Sequence, residues 1–150
     1  MKAKTKRKKR VVAVSGGFDP LHIGHTRLFD AAKKLGDELV VILNNDNWLV
    51  QKKGYAFMPE AERKEVIEAL RAVDRVMLSS HTKGDRDASV CRELHALKPD
   101  IFANGGDRKS EADIPEDTVC AEDNIRMVFN VGMGGKIQSS SALVEKFSKK

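Results

Sequence analysis

Two features are missing from this sequence, and each absence excludes a class of protein. No apolar stretch approaches the roughly 20 residues that a membrane-spanning helix requires, so no membrane is expected as a partner. The apolar run after the basic start is also short, because Val11–Val14 leads directly into Ser15 and two glycines. A secretory signal needs about 7–15 apolar residues at that position. We therefore expect neither membrane insertion nor export.

Cysteine is also scarce, which excludes a disulfide framework and the common zinc and redox motifs. Cys91 and Cys120 are the only two cysteines, and they lie far apart without the paired spacing of such sites. Two reduced thiols are the simplest interpretation, and they fit a cytoplasmic location. The 150 residues are enough for one domain with a single core.

The positive charge of the chain is concentrated at one end. The formal net charge is +5, but seven of the 27 basic residues lie among the first ten positions. Without those seven, 20 basic side chains face 22 acidic ones. We expect residues 1–10 to form a disordered, solubilising tail and residues 11–150 to form the domain. The alternative is a tail that contacts nucleic acid or an anionic surface. Apart from such a contact by the tail, nucleic acid is not expected as a partner.

Short β-rich runs alternate with longer segments of helical period, which is typical of a parallel sheet covered by helices on both faces. The predicted strands lie near Val11–Ser15, Glu38–Leu43, Arg75–Leu78, Asp100–Ala103 and Arg126–Asn130. The predicted helices lie near Ile23–Leu35, Pro59–Ala72, Arg86–Leu97 and Glu116–Asn124, with a last one that begins near Ser140. The fold class is therefore α/β, and no internal repeat is present.

The segment after the first predicted strand has the composition of a phosphate-binding turn. Gly16 and Gly17 allow a tight turn, and the following helix directs its unpaired amides and positive dipole end to the same place. His22 and His25 lie three residues apart at the start of that helix, with Gly24 between them. We expect both imidazoles to hydrogen-bond a polyphosphate and to stabilise charge that grows in the transition state. The alternative is a pair of solvent-exposed histidines or an incomplete metal site.

Arg63 lies on an apolar stripe that should face the sheet, because Val66, Ile67 and Leu70 follow it at helical spacing. A buried cation needs a partner, and the first turn of a helix is a position where the dipole disfavours positive charge. A bound phosphate would supply that partner. The alternative is an ion pair with Glu60 or another carboxylate nearby.

Other candidates give weaker signals. The serines at 139–141 either cap the last helix or form a second anion site. Asp107 follows two glycines and either contacts a ribose or substrate hydroxyl or only stabilises its turn. Lys52 and Lys53 lie in a predicted loop, where exposed lysines are common, and Trp48 is interpreted as a packing residue.

The stretch from Gly16 to His25 reads Gly-Gly-Phe-Asp-Pro-Leu-His-Ile-Gly-His. It resembles the HxGH motif of the nucleotidylyltransferase superfamily, and more narrowly its cytidylyltransferase-like branch. The resemblance covers about residues 11 to 147. The order and spacing of its motifs are similar to those of the glycerol-phosphate cytidylyltransferases and heptose-phosphate adenylyltransferases. The further motifs are Asn45-Asp46, Lys53-Gly54, Glu62-Arg63, Ala72-Val73-Asp74-Arg75-Val76, Lys98-Pro99-Asp100 and Gly105-Gly106-Asp107.

The resemblance implies a Rossmann-like, doubly wound sheet of five parallel strands in the order 3-2-1-4-5. It also implies a nucleoside triphosphate with substrate-bound Mg²⁺, a phosphorylated small-molecule acceptor and in-line attack on the α-phosphate without a protein nucleophile. A homodimer is expected. The catalytic residues by this resemblance are His22, His25, Lys53 and Arg63. The nucleotide-binding residues are Gly16, Gly17, Phe18, Asp19, Gly24, Asp107, Lys136, Ser139, Ser140 and Ser141.

The base and the acceptor stay open at this point. We expect transfer of CMP or AMP to a sugar or polyol phosphate, because the Glu62-Arg63 and Gly-Gly-Asp stretches favour that branch. One alternative is an adenylyltransferase of a cofactor precursor such as a flavin or pantetheine phosphate, and another is a nucleotide-sensing or nucleic-acid-binding protein without catalysis. Lys136 stands where these cytidylyltransferases usually have an arginine, and a lysine would change the geometry of phosphate binding. Residues 108–124 match neither relative closely, as expected of acceptor-binding loops.

Overall fold

The computed structural model describes residues 7–106, 114–132 and 139–149. Five parallel strands form one sheet in the order β3-β2-β1-β4-β5, which confirms the predicted topology. The strands are β1 Val11–Gly16, β2 Glu38–Leu43, β3 Arg75–Leu78, β4 Ile101–Ala103 and β5 Arg126–Val128. The helices of the described ranges are α1 Ile23–Lys33, α2 Asp46–Lys53, α3 Glu60–Glu68, α4 Cys91–Leu97, α5 Asp117–Glu122 and α6 Ser140–Ser148.

The central strand β1 fixes where a ligand can bind. It pairs with β2 along its whole length, from Val11 opposite Glu38 to Gly16 opposite Leu43, and with β4 on its other side. The chain therefore leaves β1 in one direction toward β2 and β3, and later returns to add β4 and β5 on the opposite side. Such a reversal opens a crevice at the carboxyl ends of the strands, which is where ligands bind in this class of sheet.

The sheet is buried on both faces, as a doubly wound fold requires. Along β1 the side chains alternate, so that Val12 and Val14 join the cluster that includes Phe29 of α1, whereas Ala13 joins the cluster that includes Leu94 of α4. All five of these residues are at most 1% exposed. The two cores hold the sheet rigidly between its helices, and the loops at its carboxyl edge are left to form a site.

Helix α2 was not predicted, because the segment after β2 was interpreted as a loop. Asn45 caps the helix, since its side-chain oxygen accepts a hydrogen bond from the Trp48 amide at 3.0 Å. Gly54 ends it in the left-handed conformation with a φ of 86°. Asn at the start and Gly at the end are ordinary helix-boundary signals. They were not used because the segment between them is short and has no clear apolar stripe.

The predicted helix near Arg86–Leu97 was wrong at its start, since α4 begins only at Cys91. The residues before it form a turn held by side-chain hydrogen bonds. The Ser89 amide and hydroxyl donate to Asp87 Oδ1 at 2.9 and 2.6 Å. Asp and Ser compete with the helix for backbone groups in this way.

Part of the predicted tail is described, and it contacts the domain. The Arg7 guanidinium donates to Asp37 Oδ1 at 2.7 Å, and the Arg10 amide donates to Asp37 Oδ2 at 2.8 Å. These bonds hold the pKa of Asp37 below its usual value. Residues 1–6 lie outside the described residues. In the ranges that the structure describes, every helix is too short or too polar to cross a membrane.

Candidate active site

A cavity of about 350 Å³ lies at the carboxyl edge of the sheet. Its walls come from the loop after β1 and the start of α1, from α2, from the segments after β4 and β5, and from the start of α6. These are the segments where the sequence predicted phosphate-binding groups. Of the predicted site residues, the cavity is lined by Gly17, Phe18, His22, Gly24, His25, Lys53, Ser139, Ser140 and Ser141.

The two histidines form a reciprocal cap at the N-terminus of α1. His22 Nδ1 accepts a hydrogen bond from the Gly24 amide at 3.0 Å, and His25 Nδ1 accepts one from the His22 amide at 3.2 Å. The imidazole rings stack with their centroids 3.7 Å apart. A Cβ on Gly24 would lie 2.8 Å from His22 Cε1, so only glycine fits there without a shift. The spacing of the motif therefore positions both rings through local hydrogen bonds.

This cap also determines where each neutral ring carries its proton. Because Nδ1 accepts a hydrogen bond in both histidines, the proton of the neutral tautomer lies on Nε2. Burial, together with the nearby His22 and Lys53, lowers the pKa of His25 to about 3, so this ring is neutral at physiological pH. The edge-to-face contact with Phe18, at 4.8 Å between ring centroids, fixes its orientation. His25 is thus a neutral N–H donor, which can stabilise growing negative charge without losing its proton.

Three cationic side chains line the same cavity. Lys52 and Lys53 extend from the last turn of α2, and Arg27 extends from α1. The Lys52 ammonium lies 4.7 Å from the centre of the Trp48 ring, which is a cation–π distance. Both lysines were weak candidates by residue type alone, although the family resemblance predicted Lys53 as catalytic, and Arg27 was not predicted. Arg27 lies in the second turn of the helix that begins with the two histidines, and this position was the signal that could have identified it.

Trp48 packs against the protein, as predicted, and it also forms a wall of the cavity. Its indole Nε1 donates to the Ala88 carbonyl at 2.9 Å. The opposite edge of the indole lies beside the turn after β1, since a Cβ on Gly17 would lie 3.1 Å from Trp48 Cζ3. A side chain at position 17 would therefore press on the indole, and Gly17 allows the close approach of this turn to α2.

Arg63 does not line the cavity but lies beneath it, with 1% of the residue exposed. Its Nε donates to the Met58 carbonyl at 2.8 Å. One terminal nitrogen, Nη1, donates to the Gly17 and Asn44 carbonyls at 2.8 and 2.7 Å. The other, Nη2, forms an ion pair with Asp46 at 2.7 Å. The guanidinium therefore joins the ends of β1 and β2 to the first residue of α2.

The partners of Arg63 agree in part with one of the two alternatives drawn from the sequence, an ion pair with a nearby carboxylate. The apolar stripe correctly predicted that Arg63 faces the sheet, and Ile67 one turn later is fully buried. The carboxylate partner is Asp46 and not Glu60, whose Oε1 instead accepts a hydrogen bond from the Asp46 amide at 3.1 Å. The remaining donors are directed to backbone carbonyls where a phosphate was expected.

Asp19 and Gly16 also lie beneath the cavity. The Asp19 carboxylate is 2% exposed and accepts hydrogen bonds from the Phe57 amide at 2.6 Å and the Met58 amide at 2.7 Å. It thereby holds the loop before α3 against the loop after β1. Gly16 contacts Phe18, because a Cβ at Gly16 would lie 2.8 Å from Phe18 Cζ. Both residues therefore support the turn after β1 and do not line the cavity.

The structure confirms the first of the two interpretations that the sequence left open for the serines, and the second anion site stays a prediction. Ser139 caps α6, since its hydroxyl oxygen accepts a hydrogen bond from the Ala142 amide at 3.3 Å. The Ser140 hydroxyl donates to the Pro20 carbonyl at 2.7 Å and so joins α6 to the loop after β1. Both serines line the cavity at the N-terminus of α6. The predicted contacts of Asp107 and Lys136 lie outside the described residues.

A neutral histidine donor, helix N-termini and several cations around one cavity are the features of a site that handles phosphoryl groups. The family model described as cytidylyltransferase-like matches residues 13–130, and the chain belongs to that family. Membership confirms the resemblance that the sequence motifs indicated.

Several curated relatives carry the name FAD synthase. The protein of that name from Ferroglobus placidus is 42% identical over 100 residues, which are 67% of this chain and 60% of the relative. The FAD synthase of Thermococcus sibiricus is 40% identical over 105 residues, which are 69% of this chain and 68% of the relative. The matched stretch thus spans about three fifths to two thirds of these relatives.

Solved structures share the fold. The lipopolysaccharide core biosynthesis protein from Thermoplasma volcanium is 29% identical with a TM-score of 0.66, and the match covers 86% of this chain and 99% of that one. Thermotoga maritima TmcAL, solved with alpha-thio ATP, has a TM-score of 0.66 at 16% identity. That match covers 94% of this chain and 51% of TmcAL, and it supports the fold alone.

Proposed function

We propose that this protein is an adenylyltransferase that joins the AMP part of ATP to the phosphate of flavin mononucleotide, with release of pyrophosphate. The observation that carries this proposal is the stacked His22–His25 pair at the N-terminus of α1, which presents a neutral N–H donor to a cavity lined by cations. The acceptor is inferred from the relatives named FAD synthase. It was the alternative from the sequence, where a sugar or polyol phosphate was the main expectation.

The reaction needs positioning and charge stabilisation and no protein nucleophile. An oxygen of the acceptor phosphate forms a bond to the α-phosphorus of ATP. The bond from that phosphorus to the oxygen bridging the β-phosphate breaks, and pyrophosphate leaves with the electron pair. His25 donates from Nε2 to phosphate oxygens in the transition state, while Lys53 and Arg27 offset the negative charge. Together they hold the triphosphate beside the turn at Gly17.

We expect Mg²⁺ to enter as a complex with the triphosphate, whose oxygens are the ligands that this ion prefers. In the ranges that the structure describes, no group of three or more acidic, histidine or cysteine side chains is placed to hold a metal ion. The proposal therefore assigns no protein residue as a metal ligand. The cytoplasmic location and the homodimer stay predictions.

A second candidate is nucleotidyl transfer to a sugar phosphate. It is favoured by the 29% identity to the lipopolysaccharide core biosynthesis protein, which the match covers almost entirely. The two candidates share the same chemistry at the α-phosphate and differ in the acceptor. An acceptor screen therefore distinguishes them directly.

The screen combines ATP or CTP with flavin mononucleotide, phosphopantetheine, glycerol 3-phosphate and a heptose phosphate. Pyrophosphate release is measured, and the product is identified by its mass. We expect turnover with ATP and flavin mononucleotide and a product with the mass of FAD. Pyrophosphate release only with a sugar or polyol phosphate would replace the flavin proposal with the second candidate. Nucleotide binding without any turnover would favour a sensor.

A further inference from the structure

A second cavity, of about 280 Å³, lies on the other side of α2 from the first. It is formed between α2 and the loop that follows β3, and we call it the α2 groove. Its walls include Trp48 and Lys52 of α2 and Thr82, Arg86 and Ala88 of the loop. Trp48 and Lys52 also line the first cavity, so the two cavities share a wall.

The shared wall is held in place at both ends. One edge of the Trp48 indole lies against the turn at Gly17, and its Nε1 donates to the Ala88 carbonyl at 2.9 Å. Asn47, the neighbouring residue on α2, donates from its side-chain amide to the His81 carbonyl at 3.0 Å. The indole therefore extends from the phosphate turn to the far side of the groove in a fixed orientation.

The loop opposite α2 is also anchored by hydrogen bonds at His81 and Ser89. His81 is 3% exposed, and its ring nitrogens are within hydrogen-bond distance of the Ser79 hydroxyl at 2.7 Å and the Ser89 carbonyl at 2.9 Å. The Asn45 side chain donates to the His81 carbonyl at 2.8 Å, which joins the loop to the start of α2. Ligand sites are usually preformed. These hydrogen bonds hold the groove in shape without a ligand.

The chemistry of the groove suits a planar heterocyclic acceptor with carbonyl oxygens at its edge. Trp48 supplies an aromatic surface, and the Lys52 ammonium over it can reach a phosphate at the junction of the two cavities. Arg86 is exposed at the groove, and it forms no ion pair with any residue in 7–106, 114–132 or 139–149. An aromatic wall and a cation recognise a heterocycle with carbonyl oxygens at its edge.

In-line displacement fixes which side of the site the acceptor occupies, because the attacking oxygen must approach opposite the leaving pyrophosphate. The first cavity continues toward β4, β5 and α6, whereas the groove lies on the β2 and β3 side. We propose that the α2 groove binds the isoalloxazine ring of the flavin acceptor, with Trp48 and Arg86 as contacts and with the phosphate directed past Lys52 into the first cavity. This inference rests on the proposed function.

The test measures binding without turnover. The full chain is titrated with flavin mononucleotide and with riboflavin, followed by flavin fluorescence, and separately with a non-hydrolysable ATP analogue. The groove variants are Arg86→Glu and Thr82→Phe, the second of which fills the groove with a ring. The matched control is Lys83→Glu, which makes the same charge change at an exposed residue of the same loop that lines neither cavity. Trp48 is the single tryptophan, so its emission reports on the shared wall.

We expect the groove variants to bind both flavins roughly 10- to 100-fold more weakly, as for the loss of a charge-assisted contact. Affinity for the ATP analogue should be unchanged, and Lys83→Glu should differ from the parent by less than about twofold. The riboflavin titration separates binding of the ring from repulsion of the phosphate, because riboflavin has no phosphate. Bound flavin should also quench Trp48 emission.

Two contrary outcomes have different meanings. If the parent binds both flavins and the groove variants bind them equally well, the groove assignment is wrong and the proposed function stands. If the parent binds neither flavin, with or without the ATP analogue, the flavin acceptor itself is wrong and the groove assignment is wrong with it.

Discussion

The carboxyl edge of the sheet contains two layers of polar residues that look alike in the sequence and differ in the structure. The upper layer, with His22, His25 and Lys53, lines the cavity and is partly exposed. The lower layer, with Asp19 and Arg63, is 1–2% exposed and is bonded to backbone groups of the surrounding loops. A charge within a phosphate-binding motif is therefore not by itself evidence of contact with phosphate.

The difference follows from what each layer must stabilise. The turn after β1 and the ends of β2 and α2 bring several carbonyl and amide groups into a small volume without regular sheet or helix partners. Such groups are costly to bury without hydrogen bonds. Arg63 donates to three carbonyls, and Asp19 accepts from two amides. The lower layer therefore supplies hydrogen-bond partners to the backbone of the loops that position the upper layer.

The largest expected effect is on the lower layer. Arg63→Ala removes a buried guanidinium and leaves its carbonyl partners and Asp46 without a donor. We expect a loss of roughly 3–5 kcal/mol in the free energy of unfolding, because three carbonyls lose a charged donor and each such loss costs about 1–3 kcal/mol. Denaturant unfolding measures this loss. The control is Lys64→Ala, the next residue of α3, whose ion pair with Glu68 is exposed and should contribute under about 1 kcal/mol. A stable Arg63→Ala protein that fails to bind ATP would contradict the structural role and indicate that Arg63 binds phosphate.

The upper layer should show the opposite pattern, with a large effect on turnover and a small one on stability. His25→Ala removes one positioned donor, and we expect turnover to fall roughly 10²–10³-fold. Unfolding should change by only about 1 kcal/mol, because a helix-cap interaction is lost. Steady-state kinetics and thermal unfolding are measured together. His95→Ala is the control, since His95 lies on α4 and bonds to Asp123 away from the cavity. Parent-like turnover in His25→Ala would remove His25 from the mechanism.

A smaller effect should distinguish Asp19 from a nucleotide-binding residue. Asp19→Asn keeps the shape of the side chain but places an amide group against the Phe57 or Met58 amide. We expect a loss of roughly 1–3 kcal/mol in unfolding free energy from the unsatisfied donors, with a parent-like affinity for ATP. Asp30→Asn, at an exposed position of α1, is the control in the same denaturant series. Weaker ATP binding with unchanged stability would contradict the supporting role.

The sequence predicted the elements whose signals are local. The alternation of strands and helices and the stripe that buries Arg63 followed from periodicity, and the spacing of His22 and His25 followed from the geometry of a helix start. The strand order followed from the family resemblance. The carbonyl partners of Arg63 could not be predicted, because they include carbonyls at the ends of two strands that meet only in the folded sheet. Helix α2 was missed for a related reason. It contributes one buried residue, Leu49, and five of its other side chains line one or both of the two cavities.

The smallest expected effect is a pH dependence that also tests the state of His25. The folded pKa of about 3 lies well below the 6.5 of an unperturbed histidine, so the unfolded chain binds a proton at mildly acidic pH and the folded protein does not. The contribution of His25 to stability is therefore fully present above pH 6.5 and decreases as the pH falls from 6.5 toward 3.

Between pH 7.5 and pH 5.5 this linkage should lower the free energy of unfolding by about 1 kcal/mol in the parent. His25→Gln lacks the titrating ring and should lose that slope, whereas His95→Ala should keep it. Denaturant unfolding at several pH values measures the difference between the variants, which cancels the other titrating groups. Equal slopes in the parent and in His25→Gln would mean that the folded protein protonates His25 as readily as the unfolded chain does. The ring would then be a charged donor in mild acid, and the neutral-donor role at the cavity would be wrong.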